Sequence, residues 1–271
     1  MSATVTPLYP QPGTARPVRG LYLDERLHEL GNGAAPLVYA SFVSSLDGRI
    51  ALVDPAGGNA LEGLTSANDF RLFQELQAQA DCMITHGGYL RALEQQRLGN
   101  VLQINAEDLL DWREQNGLPP QPAIVVASGT LDFPLHASIA KHRQPLYIAT
   151  GRRADSMRVK AWREQGCEVM IAGEDKLAEG AALVHALGEL GYQSLYLLAG
   201  PKMLETMLRD RQLARLFLTL KHRLLGGTPF HSLIEGPQLG DSGTLALRNL
   251  YYDPGEATDS GQWFSQFECP R

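Results

Sequence analysis

Residues 37–48 read LVYASFVSSLDG, an apolar and β-rich run that breaks off in Ser44-Ser45-Leu46-Asp47-Gly48. A strand with so little polar alternation is expected to be buried on both faces, as in a parallel sheet. Its end then delivers Ser44, Ser45 and Asp47 from a core to an accessible edge, where α/β proteins hold their ligands. Asp-Gly is also among the commonest turn pairs. Taken alone, the stretch is equally compatible with an ordinary strand and turn.

Outward from this strand, periodicity and breakers predict alternating strands and helices. Ala51 to Gly63 is rich in glycine and proline and reads as a mobile loop. Thr65 or Ser66 caps a helix to about Gln79, with Phe70, Phe73, Leu76 and Ala80 on its apolar side. Cys82 to Thr85 is a short strand broken by His86-Gly87-Gly88, and Tyr89 to Gln96 is again helical. A short helix at Ala106 to Glu114 is followed by strands at 123–128, 146–150, 167–172 and 194–198. Helices at 154–165 and 177–190 lie between the last three of these strands. This alternation predicts a mainly parallel sheet flanked by helices. Leu213 to Leu220 is a further strand candidate, Leu224 to Gly227 a turn, and Leu245 to Tyr251 with Trp263 to Cys269 a closing antiparallel hairpin. Residues 1–35, with prolines at 7, 10, 12 and 17, read as an extended arm and lead-in, and residues 36–271 as one α/β domain.

The 271 residues are 44% hydrophobic and 20% charged, enough to bury a sizeable core. The formal net charge is −6 and there is no basic run, so neither nucleic acid nor an anionic membrane is an expected partner. Cys82, Cys167 and Cys269 lack paired spacing, which argues against a disulfide framework or a zinc knuckle and fits a reducing cytoplasm. No uninterrupted apolar segment reaches membrane-spanning length.

Two strand-to-helix junctions carry glycine: Thr85-His86-Gly87-Gly88 and Ala199-Gly200-Pro201-Lys202. Glycine lets backbone N–H groups approach an anion, and the helix that follows adds favourable partial charge. Pro201 suits the first helical position, and Lys202 adds a positive charge beside a phosphate. His86 sits at such a junction and is a candidate for contact with phosphate or substrate. The sequence lacks G-x-G-x-x-G, the NTPase phosphate loop, H-E-x-x-H, the zinc-deaminase signature and G-x-S-x-G. A simple Rossmann dehydrogenase, metal catalysis and a serine hydrolase are therefore disfavoured.

SSLDG, a helix, a strand ending in paired glycines, and later LYLLAGPKMLETML and ARLFLTLKHRLLGG occur in an order that resembles the pyrimidine reductase domain of riboflavin biosynthesis. That domain is the C-terminal half of the bifunctional deaminase-reductase, and the resemblance covers about Leu37 to Pro229. It implies a dihydrofolate-reductase-like fold, NADPH as hydride donor, a small-molecule substrate and a homodimer. It places cofactor contacts at Val43, Ser44 and Ser45, at Gly87, Gly88 and Tyr89, at Ser128, and at Gly200, Pro201, Lys202, Met203 and Leu204. Asp47 matches the Asp of the family's Leu-Asp-Gly motif, either as a catalytic residue or as the holder of a turn.

The sequence departs from the family pattern on the substrate side. Gln77 stands where the family reads Arg, Leu198 where it reads Glu, and Tyr89 and Leu93 where it reads Thr and Asp. Exchanging a cation for an amide, or a carboxylate for Leu, forfeits charge-assisted bonds of roughly 1.5–3 kcal/mol each. The implied activity is therefore an NADPH-dependent reductase acting on the standard ribosylaminopyrimidine phosphate or on a different heterocyclic or carbonyl compound. The alternative is a catalytically silent nucleotide-binding or scaffold protein of the same fold. Asp47, His86, Tyr89 and a bound water all stand open as proton donor.

Overall fold

Leu37–Ser45 forms a strand whose first residues face two cores at once. Leu37 and Tyr39 join one apolar cluster, and Val38 and Ala40 the other. The computed structural model describes residues 3–53, 59–60, 63–255 and 260–270. Its strands are β1 (Thr4–Tyr9), β2 (Arg16–Pro17), β3 (Leu37–Ser45), β4 (Arg49–Val53), β5 (Asn59–Ala60), β6 (Cys82–His86) and β7 (Ala123–Ala127), followed by β8 (Leu146–Thr150), β9 (Glu168–Ile171), β10 (Ser194–Leu197), β11 (Leu213–Lys221), β12 (Phe230–Ser232), β13 (Ala246–Asp253) and β14 (Gln262–Glu268). The helices are α1 (Ala67–Ala78), α2 (Gly87–Glu94), α3 (Glu107–Gln115), α4 (Ala137–Lys141), α5 (Ser156–Glu164), α6 (Gly180–Glu189) and α7 (Pro201–Arg209).

Among the described residues, eleven strands form one sheet in the order β2-β1-β13-β14-β11-β3-β10-β6-β7-β8-β9. From β11 to β9 every neighbouring pair is parallel, and β14, β13, β1 and β2 continue the sheet antiparallel. Leu72 and Leu76 of α1, Leu90 and Leu93 of α2, Ile139 of α4 and Trp162 of α5 pack on one face. Leu183 and Leu187 of α6 and Leu204 and Met207 of α7 pack on the other. The expected α/β class, with its parallel sheet and antiparallel C-terminal hairpin, is what the chain adopts. No helix among the described residues is long and apolar enough to cross a membrane.

Besides the short helix α4, which the sequence reading lacks, the structure differs from that reading in three places. Ala51–Val53 ends β4 and Asn59–Ala60 is β5. With β12 they form a separate three-stranded sheet rather than a loop, because strand pairing overrides the local glycine content. The rest of that expected loop, 54–58 and 61–62, lies outside the described residues. Residues 4–9 pair with β13, and the two-residue β2 covers β1 in turn. Proline is tolerated on such an outermost strand, where it also discourages further pairing. Finally, Phe70 is not on the buried face of α1 but 49% exposed. The helix buries Glu75 and Gln77 beside Leu72 and Leu76, since those polar groups have partners inside.

Candidate active site

The chain leaves β6 through α2 on one face of the sheet and leaves the neighbouring β10 through α7 on the other. A crevice opens outside the strand ends where connections diverge in this way. His86 ends β6, Gly87 and Gly88 begin α2, and Gly200 caps α7 with Pro201 in its first turn. A Cβ added at Gly88 would lie 2.9 Å from His86 Nδ1, and one at Gly87 2.9 Å from Phe133 and 3.2 Å from Ser128 Oγ. At Gly200 the nearest atom would be His86 Nε2, 4.0 Å away. The two glycine junctions thus meet around His86 at adjacent strand ends, with Gly87 buried against Phe133 and Ser128 and Gly88 and Gly200 half-buried. Burial, and secondarily the charge of Arg91, lower the pKa of His86, so at neutral pH it is an uncharged partner rather than a cation.

The other expected contacts differ in exposure, and several of them are turned into the protein. Ser128 Oγ accepts from Leu131 N at 3.0 Å. Lys202 is exposed in the first turn of α7, Met203 is partly buried, and Leu204 is buried in the core beneath. Ser44 is buried and its hydroxyl donates to the Ser45 carbonyl at 2.9 Å. Tyr89 Oη donates to Gly99 O and accepts from Val101 N, both at 2.9 Å, tying α2 to residues 99–101.

Asp47 is surrounded by donors. Its carboxylate accepts from Ser45 Oγ, from Arg49 at 2.7 Å, and from the backbone N–H groups of Leu225 at 3.2 Å and Gly226 at 2.8 Å. The Ser45 hydroxyl first, then the Gly226 amide, hold this carboxyl well below the usual carboxylate range. It stays an anion and clamps the end of β3 to the Leu224–Gly227 turn. Arg49 in turn lies 4.3 Å over the ring of Phe230, coupling the three-stranded sheet to the same strand end.

Beside the crevice, a cavity of about 230 Å³ opens between β3, α1 and β11. Val43, Phe70, Phe73, Phe217 and Tyr22 supply apolar and aromatic walls, with Ser41, Thr219 and Asp69 as polar groups. Val101, the residue held by Tyr89, lines it too, so one hydroxyl connects crevice and cavity. Gln77 Nε2 donates to Val101 O at 2.8 Å, making the amide at the family's Arg position a support for this wall. Leu198 is partly buried against the same core.

Asp69 was not a candidate from sequence. It is the third residue of α1, and its own N–H donates to the Ser66 cap at 3.1 Å, so on paper it reads as a solvated acid in a helix's first turn. Here it faces the cavity, and desolvation raises its pKa to about 6, against the opposing effects of Thr219 and Lys221. Only tertiary packing reveals it, because β11, from which Thr219 comes, lies some 150 residues away in the chain. Among the described residues there is no cluster of His, Cys, Asp or Glu able to hold a metal ion.

Residues 36–251 match the model of the RibD C-terminal domain. The 2,5-diamino-6-ribosylamino-4(3H)-pyrimidinone 5′-phosphate reductase of Aquifex aeolicus is 25% identical over 209 residues, 77% of this chain and 84% of that protein. The reductase of the same description from Archaeoglobus fulgidus is 22% identical over 201 residues, 74% of this chain and 87% of its own. A crystal structure of a pyrimidine reductase-like protein from Corynebacterium diphtheriae superposes with a TM-score of 0.67 at 19% identity, covering 87% of this chain and 92% of that one. With its parallel sheet, its crevice and a match spanning most of its length, the chain belongs to the RibD C-terminal domain family.

Proposed function

We propose that this protein is an NADPH-dependent reductase of the pyrimidine-reductase type, with the dinucleotide across Gly87, Gly88 and Gly200 and the substrate ring in the Asp69 cavity. The observation that carries this reading is the meeting of two glycine junctions around His86 beside an aromatic cavity that a half-buried acid lines. Bound NADPH supplies the hydride. The protein aligns two planar groups, excludes water and manages one proton. Asp69, whose pKa of about 6 lies near neutrality, suits hydrogen bonding to ring N–H groups and proton exchange with the product. Asp47 acts by holding the end of β3, from which Val43 reaches the cavity.

The relatives are named for a phosphorylated ribosylaminopyrimidinone, and that compound is the first substrate to test. Gln77 and Leu198 favour a substrate that relies less on charge at those two positions. They also favour the second reading, a silent NADPH-binding protein. Spectrophotometry at the nicotinamide band separates the two: the reductase loses absorbance only when substrate is added, whereas the silent protein binds NADPH without turnover. Calorimetry that shows binding of neither NADPH nor NADH overturns both readings.

We place the enzyme in a reducing cytoplasm, as a homodimer. Leu218, Leu220, Leu250 and Trp263 share one half-buried sheet face with the exposed Tyr252. A second copy of this chain covering that face would bury a continuous apolar strip.

A further inference from the structure

Residues 3–35 precede the matched domain, yet one of them closes its cavity. Tyr22 is 2% exposed, lines the cavity, and its ring centroid lies 4.8 Å from that of Phe217. The segment that delivers it is fastened to α1 by backbone bonds. Glu75, fully buried, accepts from Gly20 N at 2.6 Å and from Tyr22 N at 3.0 Å. Gln79, also buried, donates to Tyr22 O at 2.8 Å and accepts from Leu27 N at 2.7 Å. Arg71 holds Glu75 from the other side at 2.9 Å. Four backbone bonds to two buried side chains fix the segment's register, and with it the position of the Tyr22 ring.

We infer that Tyr22, which precedes the residues matched by the family model, is a specificity-determining residue of the substrate pocket: its ring, fixed against Phe217, decides which planar rings the slot beside Asp69 admits. The aromatic pair sets the width of the slot, and the carboxyl in the same cavity rewards a ring that presents paired N–H donors. Identification of the reaction as a reduction rests on the reading above. The pocket's preference does not, because it can be measured by binding alone.

The test uses full-length protein and 2,4-diaminopyrimidine as the probe, with calorimetry for the probe and, separately, for NADPH. Tyr22→Phe should bind the probe within about threefold of wild type and Tyr22→Leu about tenfold more weakly, with NADPH affinity unchanged in both. Circular dichroism and Tm confirm that each variant is folded, and Tyr22→Leu keeps enough apolar volume to serve if smaller residues do not fold. Probe affinity unaltered in folded Tyr22→Leu, or no probe binding by wild-type protein, overturns the inference. Failure of wild-type protein to bind NADPH overturns the reductase reading instead, while the probe series still decides the role of Tyr22.

Discussion

At the scale of single residues, Asp69 carries the sharpest expectations. Its folded pKa of about 6 exceeds its ordinary value of 3.8, so between these limits the native state binds a proton that the unfolded chain releases. Stability attributable to this group therefore falls as pH rises from about 4 to about 6, by on the order of 3 kcal/mol. Asp69→Asn should flatten that dependence in denaturation curves measured across this range. It should also lower the rate of NADPH oxidation by roughly a hundredfold while leaving NADPH affinity intact. Gly200 makes the complementary case. Its φ of −74° suits any residue and an added Cβ meets no atom closer than 4.0 Å. Gly200→Ala should leave Tm unchanged yet weaken NADPH about tenfold if its backbone faces phosphate; unchanged affinity in calorimetry would remove Gly200 from the cofactor site. The glycine junctions could be read from the sequence because turn chemistry is local. Asp69 and Tyr22 could not, since only long-range packing distinguishes a cavity acid from a surface one, or a pocket tyrosine from one in a leader.

At the scale of elements, helix α1 does more than its periodicity suggests. Glu75 within it and Gln79 at its C-terminal cap hold residues 20–27, and Ser66 at its start accepts from Gln262, which also reaches Asp253 at 2.8 Å. The helix thereby ties the N-terminal segment to the C-terminal hairpin. Glu75→Ala would strand two backbone N–H groups and leave Arg71 with Asp108 as its carboxylate partner, at a cost of roughly 2–5 kcal/mol in urea denaturation. It should also loosen the backbone around the already exposed Arg16, Arg19 and Arg26, so that limited trypsin digestion cuts there faster. A variant as resistant as wild type would show that other contacts hold the segment. The existence of α1, α2, α3, α5 and α6 followed from composition, apolar spacing and caps, and their ends fell within a few residues of expectation, while α7 was expected from the Gly200-Pro201 junction without an end. What stayed hidden was the purpose of their polar side chains. A buried carboxylate whose partners lie 50 residues away gives no local signal.

At the scale of the whole molecule, the proposed dimer rests on the half-buried apolar face of β11, β13 and β14. Light scattering at micromolar concentration should give twice the chain mass, and Leu218→Lys, placed on that face, should give a folded monomer. A monomeric wild type would leave the face without this partner. The mainly parallel sheet was foreseeable because strands and helices alternate along the chain and β3 is apolar on both faces. The spatial order of the strands was not, for β10 sits between two strands that precede it in the chain by more than a hundred residues.

That insertion also sets when, during synthesis, the protein becomes useful. Until Ser194–Leu197 leaves the ribosome, β3 and β6 have no strand to join them, and Gly87 waits opposite nothing. Nucleotide recognition should therefore arise abruptly and late in translation, once the nascent chain wedges its tenth strand into a half-built sheet.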